Sequence, residues 1–172
     1  VSARRIVTRG AVQNAVRTMA AIGGSTNTVL HLMAVAREAG HSLTIDDFAE
    51  LWSTTPQVAR VNPAGPATVP DFHRAGGVPA VMREIRSLLE TDALTVAGVP
   101  LHDVLDAAAP ADPDDPVIRP LDDPWLEGGG LAVLRGNLAP DSGITRPAAF
   151  PPGMGSFTGR ALCFDSERHA NE

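Results

Sequence analysis

The stretch that decides how the N-terminal part of this chain folds is a glycine-rich turn between two helical patterns, Ala21-Ile22-Gly23-Gly24-Ser25-Thr26-Asn27-Thr28-Val29-Leu30-His31-Leu32. Before the turn, apolar residues recur at helical spacing behind Thr8, which is placed to act as an N-cap. After the turn, the pattern continues to Gly40 and is apolar almost all round. We therefore predict a second helix that is buried, with its polar start pointing into the interior.

Helical patterns continue along the chain as far as residue 108. A helix is predicted to begin at Thr44 or Asp46 and to end before Pro56, and an ordered loop is predicted over residues 61–79. The next predicted helix is entered through Gly76-Gly77 and extends to Leu89. A short strand at 94–96 and a short helix at 101–108 are predicted to follow.

The composition changes at residues 109–116, where proline, aspartate and alanine predict a linker. Apolar runs typical of short strands follow at 117–119, 131–136, around Ile144, near Pro147 and at 161–164. Residues 1–108 and 117–172 are therefore predicted to be parts of two domains, the first helical and the second rich in β-structure.

Composition and charge exclude several classes of function. The net charge is −6 and every basic residue is an arginine or histidine, so no basic stripe could bind nucleic acid. No apolar run is long enough to span a membrane. The N-terminal residues lack the apolar core of a signal peptide, so a cytoplasmic location is expected.

Metal ligands are scarce. Cys163 is the only cysteine, which excludes an internal disulfide and is too few for an iron–sulfur cluster or a structural zinc. It lies in an apolar run, where we expect a buried, inert thiol. The histidines show no metal-binding spacing, and His31 is expected to be a hydrogen-bonded core residue.

The strongest candidate site is the turn formed by Gly24, Ser25, Thr26 and Asn27. Glycine allows a ligand to approach the backbone, free N–H groups at a helix start favour an anion such as a carboxylate, and the three polar side chains are short. The alternative is a simple helix–helix turn capped by Ser25 or Thr26.

Gly76, Gly77 and Asn137 are further candidates for substrate binding. The glycine pair precedes a helix, as at the first turn, and its alternative is again a turn without a ligand. Asn137 follows a predicted strand and either closes a turn or reaches toward a site.

Taken in order, segments along nearly the whole chain resemble one family. They are residues 21–32, 46–48, 63–65, 71–72, 75–79, 117–122, 129–134, 136–141, 159–161 and 164–167. Together they are similar to the dihydroxy-acid dehydratase and phosphogluconate dehydratase family. Residues 75–84 and 117–122 look closer to the sugar-acid branch, but the branched-chain amino-acid enzyme shares much of this pattern, so both substrate classes stay open.

The resemblance implies an α/β fold class, with the C-terminal part of the family's N-terminal α/β domain followed by the start of a β-rich, aconitase-like swivelling domain. It implies a hydro-lyase that converts a dihydroxy or aldonic acid to a 2-keto acid and is a homo-oligomer at full length. It also implies an iron–sulfur cluster and Mg²⁺ whose ligands lie outside this chain, as does the catalytic serine. Arg146 stands where the family commonly has lysine, and Cys163 where it has an aliphatic residue.

We therefore predict a fragment of a lyase that is inactive by itself. Val1 is not a methionine, and residues 165–172 begin a capped helix that stops within its first turns, so we expect the natural protein to continue in both directions. The alternative is a non-catalytic module of the same origin that binds a small carboxylate or a partner protein. Phosphate binding at residues 24–27 ranks last, because no Gly-Lys-Ser/Thr pattern supports it.

Overall fold

The computed structural model describes residues 1–112, 115–151, 153 and 155–172, and within them the fold is mostly helical with one small sheet. The helices are α1 (Ala3–Ile6), α2 (Arg9–Ile22), α3 (Thr28–Glu38), α4 (Ile45–Ser53), α5 (Val69–Arg74), α6 (Gly77–Glu84), α7 (Leu101–Ala107) and α8 (Glu167–Asn171). The strands β1 (Ala132–Leu134) and β2 (Gly143–Thr145) pair antiparallel, with Val133 opposite Ile144. No helix in the described ranges is long and apolar enough to cross a bilayer.

The helix–turn–helix at the N-terminus is confirmed. Thr8 caps α2 by accepting a hydrogen bond from the Ala11 N–H at 3.2 Å. The helix ends at Gly23, whose φ of 67° is left-handed and suits a residue without a side chain.

The prediction that α3 is buried all round is wrong. Val29 and Ala36 are buried against the core, but Leu30 is 70% exposed and Val35 is 48% exposed. Only one face of α3 packs on the rest of the described chain, so its apolar outer face remains at the surface.

Two apolar clusters form the core, and both combine residues from the two halves of the chain. The first joins α2, α3 and α4 around Phe48 and Trp52, whose rings meet edge to face at 5.1 Å, and it includes Leu131. The second joins the end of α2, residues 58–59 and α6, and it includes Val117 and Ile118. Packing therefore connects residues on either side of the predicted linker, and the division into two domains stays a prediction. Positions 113 and 114 of that linker lie outside the described residues.

An extended segment, residues 57–61, holds these parts together. The N–H groups of Val58 and Ala59 both donate to the Ala21 carbonyl at 2.9 Å, which joins the segment to the end of α2. On its other side, the Arg119 N–H donates to the Val58 carbonyl at 2.8 Å. The predicted strand at 117–119 is thus reduced to a single bridge between Ala59 and Ile118.

The described part of the C-terminal half contains fewer strands than the sequence predicted. β1 and β2 confirm the strands near 131–136 and Ile144, but residues 147–149 form a 3₁₀ turn and residues 161–164 have no regular structure. The predicted strand at 94–96 is a turn with one bridge, from Leu94 to Pro100. Cys163 is exposed, so the prediction of a buried thiol is also wrong. The segments at 94–96, 147–149 and 161–164 have strand-like composition, but a strand forms only where a second strand pairs with it.

The N-cap residues of α4 and α5 show where these two helices begin. Thr44, rather than Asp46, caps α4, and it forms a capping box with Asp47. An identical box at Thr68 and Asp71 starts α5 inside the region that was predicted to be loop. The spacing Thr-x-x-Asp was present in the sequence and could have revealed this helix. The α-helix entered at Gly77 ends at Glu84, and a 3₁₀ turn follows over Arg86–Leu88.

Candidate functional site

The turn from Gly23 to Asn27 is closed by its own backbone and by one side chain. The N–H groups of Gly23 and Gly24 donate to the carbonyls of Ala20 and Met19, at 3.1 and 3.0 Å. The Ser25 hydroxyl oxygen accepts from the Asn27 N–H at 3.3 Å. The Ser25 hydroxyl hydrogen remains available to donate. The N-cap of α3 is Asn27, and not Ser25 or Thr26 as the alternative interpretation predicted.

The polar side chains of this turn lie at the surface and do not point into the interior as predicted. Ser25 and Asn27 are exposed, whereas Gly24 and Thr26 are half-buried. Asn27 makes no side-chain capping hydrogen bond to α3. The side chains of Ser25 and Asn27 are therefore accessible to a ligand.

Gly130 packs directly against the back of this turn. A side-chain carbon at Gly130 would lie 2.6 Å from the Gly23 Cα atom and 2.9 Å from Gln57 Oε1. Gln57 is fully buried, and its amide nitrogen donates to the Ala59 carbonyl at 2.9 Å. Neither Gly130 nor Gln57 is among the site residues predicted from the sequence, although the run Gly128-Gly129-Gly130 is a signal of a close backbone approach.

Arg146 contacts the front of the turn from the other half of the chain. One of its terminal nitrogens, Nη2, donates to the Gly24 carbonyl at 2.6 Å, across a separation of 122 residues. Arg146 is half-buried and immediately follows β2. The structure thus adds a guanidinium to the turn that the sequence singled out.

Gly76 and Gly77 open α6 and have φ values of 104° and 61°. A side-chain carbon at Gly76 would lie only 2.6 Å from the Ala80 Cβ atom, so glycine is needed there for the turn itself. Val78, the next residue, and Gly24 both line a groove of about 420 Å³ between α2 and α6. The other lining residues include Met19, Ile22, Met82 and Leu94, so the groove is largely apolar.

Asn137 and His31 lie apart from this groove. Asn137 is exposed in the connection between β1 and β2, where the Ala139 N–H donates to the Gly136 carbonyl at 3.1 Å and closes the turn. His31 is exposed on α3, so the prediction of a core histidine is wrong. Of the predicted site residues, the structure brings Gly24 close to α6 and leaves Asn137 outside the groove.

The N-terminal model of the dihydroxy-acid/6-phosphogluconate dehydratases matches residues 1–104, and the C-terminal model of the same family matches residues 116–172. The chain belongs to this dehydratase family.

Several dihydroxy-acid dehydratases are similar over the full length of the chain. That of Nocardioides sp. is 44% identical over 172 residues, covering 99% of this chain and 30% of the relative. That of Oleidesulfovibrio alaskensis is 45% identical over 174 residues, covering 100% of this chain and 31% of the relative. The Aquifex aeolicus enzyme is 39% identical over 174 residues, again covering 100% and 31%. The chain thus spans less than a third of the length of these dehydratases.

The residues of this chain do not fit the metal groups that the dehydratase resemblance implies. Among the described residues, no group of three or more His, Cys, Asp or Glu side chains could hold a metal ion. The single cysteine is exposed, whereas iron–sulfur clusters are held by several cysteine thiolates. Three carboxylates in the described ranges have a lowered pKa, and each takes part in a structural contact. The Thr44 hydroxyl and backbone N–H lower the pKa of Asp47, those of Thr68 lower the pKa of Asp71, and the hydrogen bond from Arg86 lowers the pKa of Asp106.

Proposed function

We propose that this chain is part of a hydro-lyase that dehydrates a 2,3-dihydroxy carboxylic acid to a 2-keto acid. The observation that carries the proposal is the match of residues 1–104 and 116–172 to the two family models, supported by relatives named dihydroxy-acid dehydratase at 39–45% identity. Those names favour a branched dihydroxy acid of amino-acid biosynthesis over an aldonic sugar acid. An iron–sulfur cluster and Mg²⁺ would take their ligands from outside this chain.

We further propose how the domains of the whole enzyme are arranged along the chain. Residues 1–108 would be the end of an α/β domain, residues 109–116 a linker, and residues 117–172 the start of a β-rich swivelling domain. The family resemblance supports this division. We propose a homo-oligomeric enzyme in the cytoplasm.

Within such an enzyme, this chain would bind and orient the substrate. Dehydration removes a weakly acidic proton and expels hydroxide, so the substrate must be held while charge develops at both carbons. The accessible Ser25 and Asn27 side chains offer hydrogen bonds to the hydroxyl and carboxylate oxygens of a hydroxy acid. We also assign Thr26, Gly24, Gly76, Gly77 and Asn137 to the proposed substrate-binding surface, with Asn137 as a residue of the second half that lies outside the groove between α2 and α6.

A chimera tests the proposal. Residues 1–172 would replace the matched segment of the Nocardioides dehydratase, to which they are 44% identical. Keto-acid formation would be measured with branched 2,3-dihydroxy acids and with aldonic acids, and the cluster content would be followed by its visible absorbance. We expect turnover of the branched dihydroxy acids.

The unmodified Nocardioides enzyme is the control for cluster loading and assay conditions. A chimera that folds and carries the cluster but turns over neither substrate class would contradict the proposal. If this inactive chimera still bound hydroxy acids in calorimetry, the non-catalytic carboxylate-binding module would be the better account.

A further inference from the structure

The side chain of Gln57 lies where three segments of the chain meet, behind the turn at residues 23–27. A side-chain carbon at Gly23 would lie 2.5 Å from Gln57 Nε2, and one at Gly130 would lie 2.9 Å from Gln57 Oε1. Gln57 itself is fully buried. Its amide group is therefore held between the end of α2 and the backbone of the second half, and glycine on each side leaves room for it.

The side-chain hydrogen bond of Gln57 connects it to the end of α2. Nε2 donates to the Ala59 carbonyl at 2.9 Å, which fixes the side chain against its own segment. The Ala59 N–H donates in turn to the Ala21 carbonyl at 2.9 Å, two residues before Gly23. Loss of the amide would leave the Ala59 carbonyl without this hydrogen bond, which is costly for a buried group. The position of the Gln57 side chain is thus coupled to the last turn of α2.

The backbone of Gln57 connects the same point to the second half of the chain. Its N–H donates to the Leu126 carbonyl at 2.9 Å, and its carbonyl accepts from the Trp125 N–H at 2.8 Å. Four residues after Leu126, the Gly130 N–H donates to the Ala20 carbonyl at 3.2 Å. Residues 125–130 are therefore bonded to Gln57 at one end and to α2 at the other, directly behind the turn.

We propose that Gln57 is a positioning residue, which sets where residues 24–27 lie relative to the second half of the chain. The inference rests on the proposed function, in which this turn binds the hydroxy acid. Gln57 is buried behind the turn and acts through Gly23, without touching the substrate. A shift of the turn would move the exposed Ser25 and Asn27 side chains out of place, and small displacements of binding groups are costly to an enzyme.

The test uses the Nocardioides chimera with Gln57→Met, Gln57→Asn and a matched control, Thr55→Val. Methionine has a length similar to that of glutamine but cannot donate to the Ala59 carbonyl, and asparagine is one methylene shorter. Thr55 is also fully buried, and its hydroxyl donates to the Leu51 carbonyl at 2.6 Å. Thr55→Val therefore removes a buried hydrogen bond of the same region that does not involve the turn. All three variants should unfold at a lower urea concentration than the parent chimera.

The kinetic constants distinguish positioning from stability. We expect both Gln57 variants, while folded by circular dichroism, to raise KM for the dihydroxy acid about fivefold and to change kcat less than about twofold, because a displaced turn weakens binding in the ground and transition states alike. Thr55→Val should leave KM unchanged. If Gln57→Met does not fold, Gln57→Asn gives the same comparison. Equal KM values for the parent, the Gln57 variants and Thr55→Val would overturn the inference, since Gln57 would then affect stability alone.

A second measurement does not depend on turnover. Amide hydrogen exchange of residues 23–28 reports on the turn, in which the Gly24 N–H donates to the Met19 carbonyl. We expect the Gln57 variants to speed this exchange about tenfold more than Thr55→Val does, because the turn loses its support from behind. Equal exchange of the turn in all three variants would also overturn the inference. An inactive chimera whose turn exchange responds only to the Gln57 substitutions would reject the proposed function and keep the positioning role.

Discussion

Gly130 lies where two parts of the backbone come together beside the candidate site. The nearest atoms to a side chain there would be the Gly23 Cα atom and the buried amide of Gln57, neither of which can move away easily. The absence of a side chain at Gly130 therefore sets how closely the C-terminal half approaches the glycine turn.

Gly130→Ala should lower the free energy of unfolding by about 1–3 kcal/mol, because the added methyl group forces backbone shifts in a packed region. Gly128→Ala is the matched control, since nothing lies within 4 Å of a side-chain carbon there, and it should change stability by less than about 0.5 kcal/mol. Urea denaturation measures both. Equal effects of the two substitutions would show that the close approach at Gly130 is not a constraint.

Substitutions of two asparagines should distinguish an effect on substrate binding from an effect on stability. Asn27 is exposed and caps nothing, so Asn27→Ala should change the unfolding free energy by less than about 0.5 kcal/mol while raising KM in the chimera. Asn14 is buried and bonds both the carbonyl and the N–H of Glu90, at 2.9 and 2.8 Å. Asn14→Ala should therefore lower the unfolding free energy by about 1–3 kcal/mol. A large stability loss at Asn27 would argue that the turn is a packing feature only.

At the scale of elements, capping boxes determine where α4 and α5 begin. In α4, the Asp47 carboxylate accepts from the Thr44 hydroxyl at 2.6 Å and from the Thr44 N–H at 2.7 Å. These hydrogen bonds favour the ionised carboxylate and hold the pKa of Asp47 below its ordinary value. The start of α4 matters to the core, because Phe48 and Trp52 follow on its buried face.

Thr44→Ala should lower the unfolding free energy by about 1 kcal/mol at pH 7. Because the pKa of Asp47 is lowered in the folded state, its stabilisation is complete above the unfolded pKa of about 3.9 and is lost as the pH falls through the folded value. The difference between the parent chain and the variant should therefore narrow below about pH 4.

Urea denaturation at a series of pH values gives this difference directly. Ser53→Ala is the control at the other end of α4, since its hydroxyl donates to the Glu50 carbonyl and involves no carboxylate. Its effect should not depend on pH. A Thr44→Ala difference that stays constant down to pH 3 would rule out Asp47 as its source.

At the scale of the whole molecule, the core does not divide at the predicted linker. Leu131 belongs to the first apolar cluster, and Val117 and Ile118 belong to the second. By contrast, all the described residues from 150 to 172 are exposed. Stability should therefore depend on residues just after the linker and not on the C-terminal segment.

Two truncations of the chain test this distribution. A chain ending at residue 149 should keep its unfolding midpoint, because all the described residues that it loses are exposed. A chain ending at residue 115 loses Val117, Ile118 and Leu131 and should show no cooperative urea transition. A cooperative transition of the shorter chain, with an unchanged midpoint, would mean that residues 1–115 fold independently.

Local features of the fold, and the family, could be predicted from residue types along the chain. The end of α2 at Gly23, the capping of α2 by Thr8 and the helix entered at Gly77 all depend on hydrogen bonds between residues a few positions apart, so neighbouring residue types predict them. The family followed from the order of many short segments, which both family models support.

Which segments contact each other could not be predicted and depends on the tertiary packing. In the described residues, Leu30 remains at the surface of α3 and residues 161–164 form no strand, whereas Gly130 packs against Gly23 and Arg146 contacts the Gly24 carbonyl. An apolar residue is buried only if another part of the chain packs against it. A strand forms, and an arginine is hydrogen-bonded, only if another part of the chain supplies the partner groups. The type of a residue determines which groups its side chain can bind. A contact such as that between Arg146 and Gly24, which are 122 residues apart, depends on how the whole chain packs.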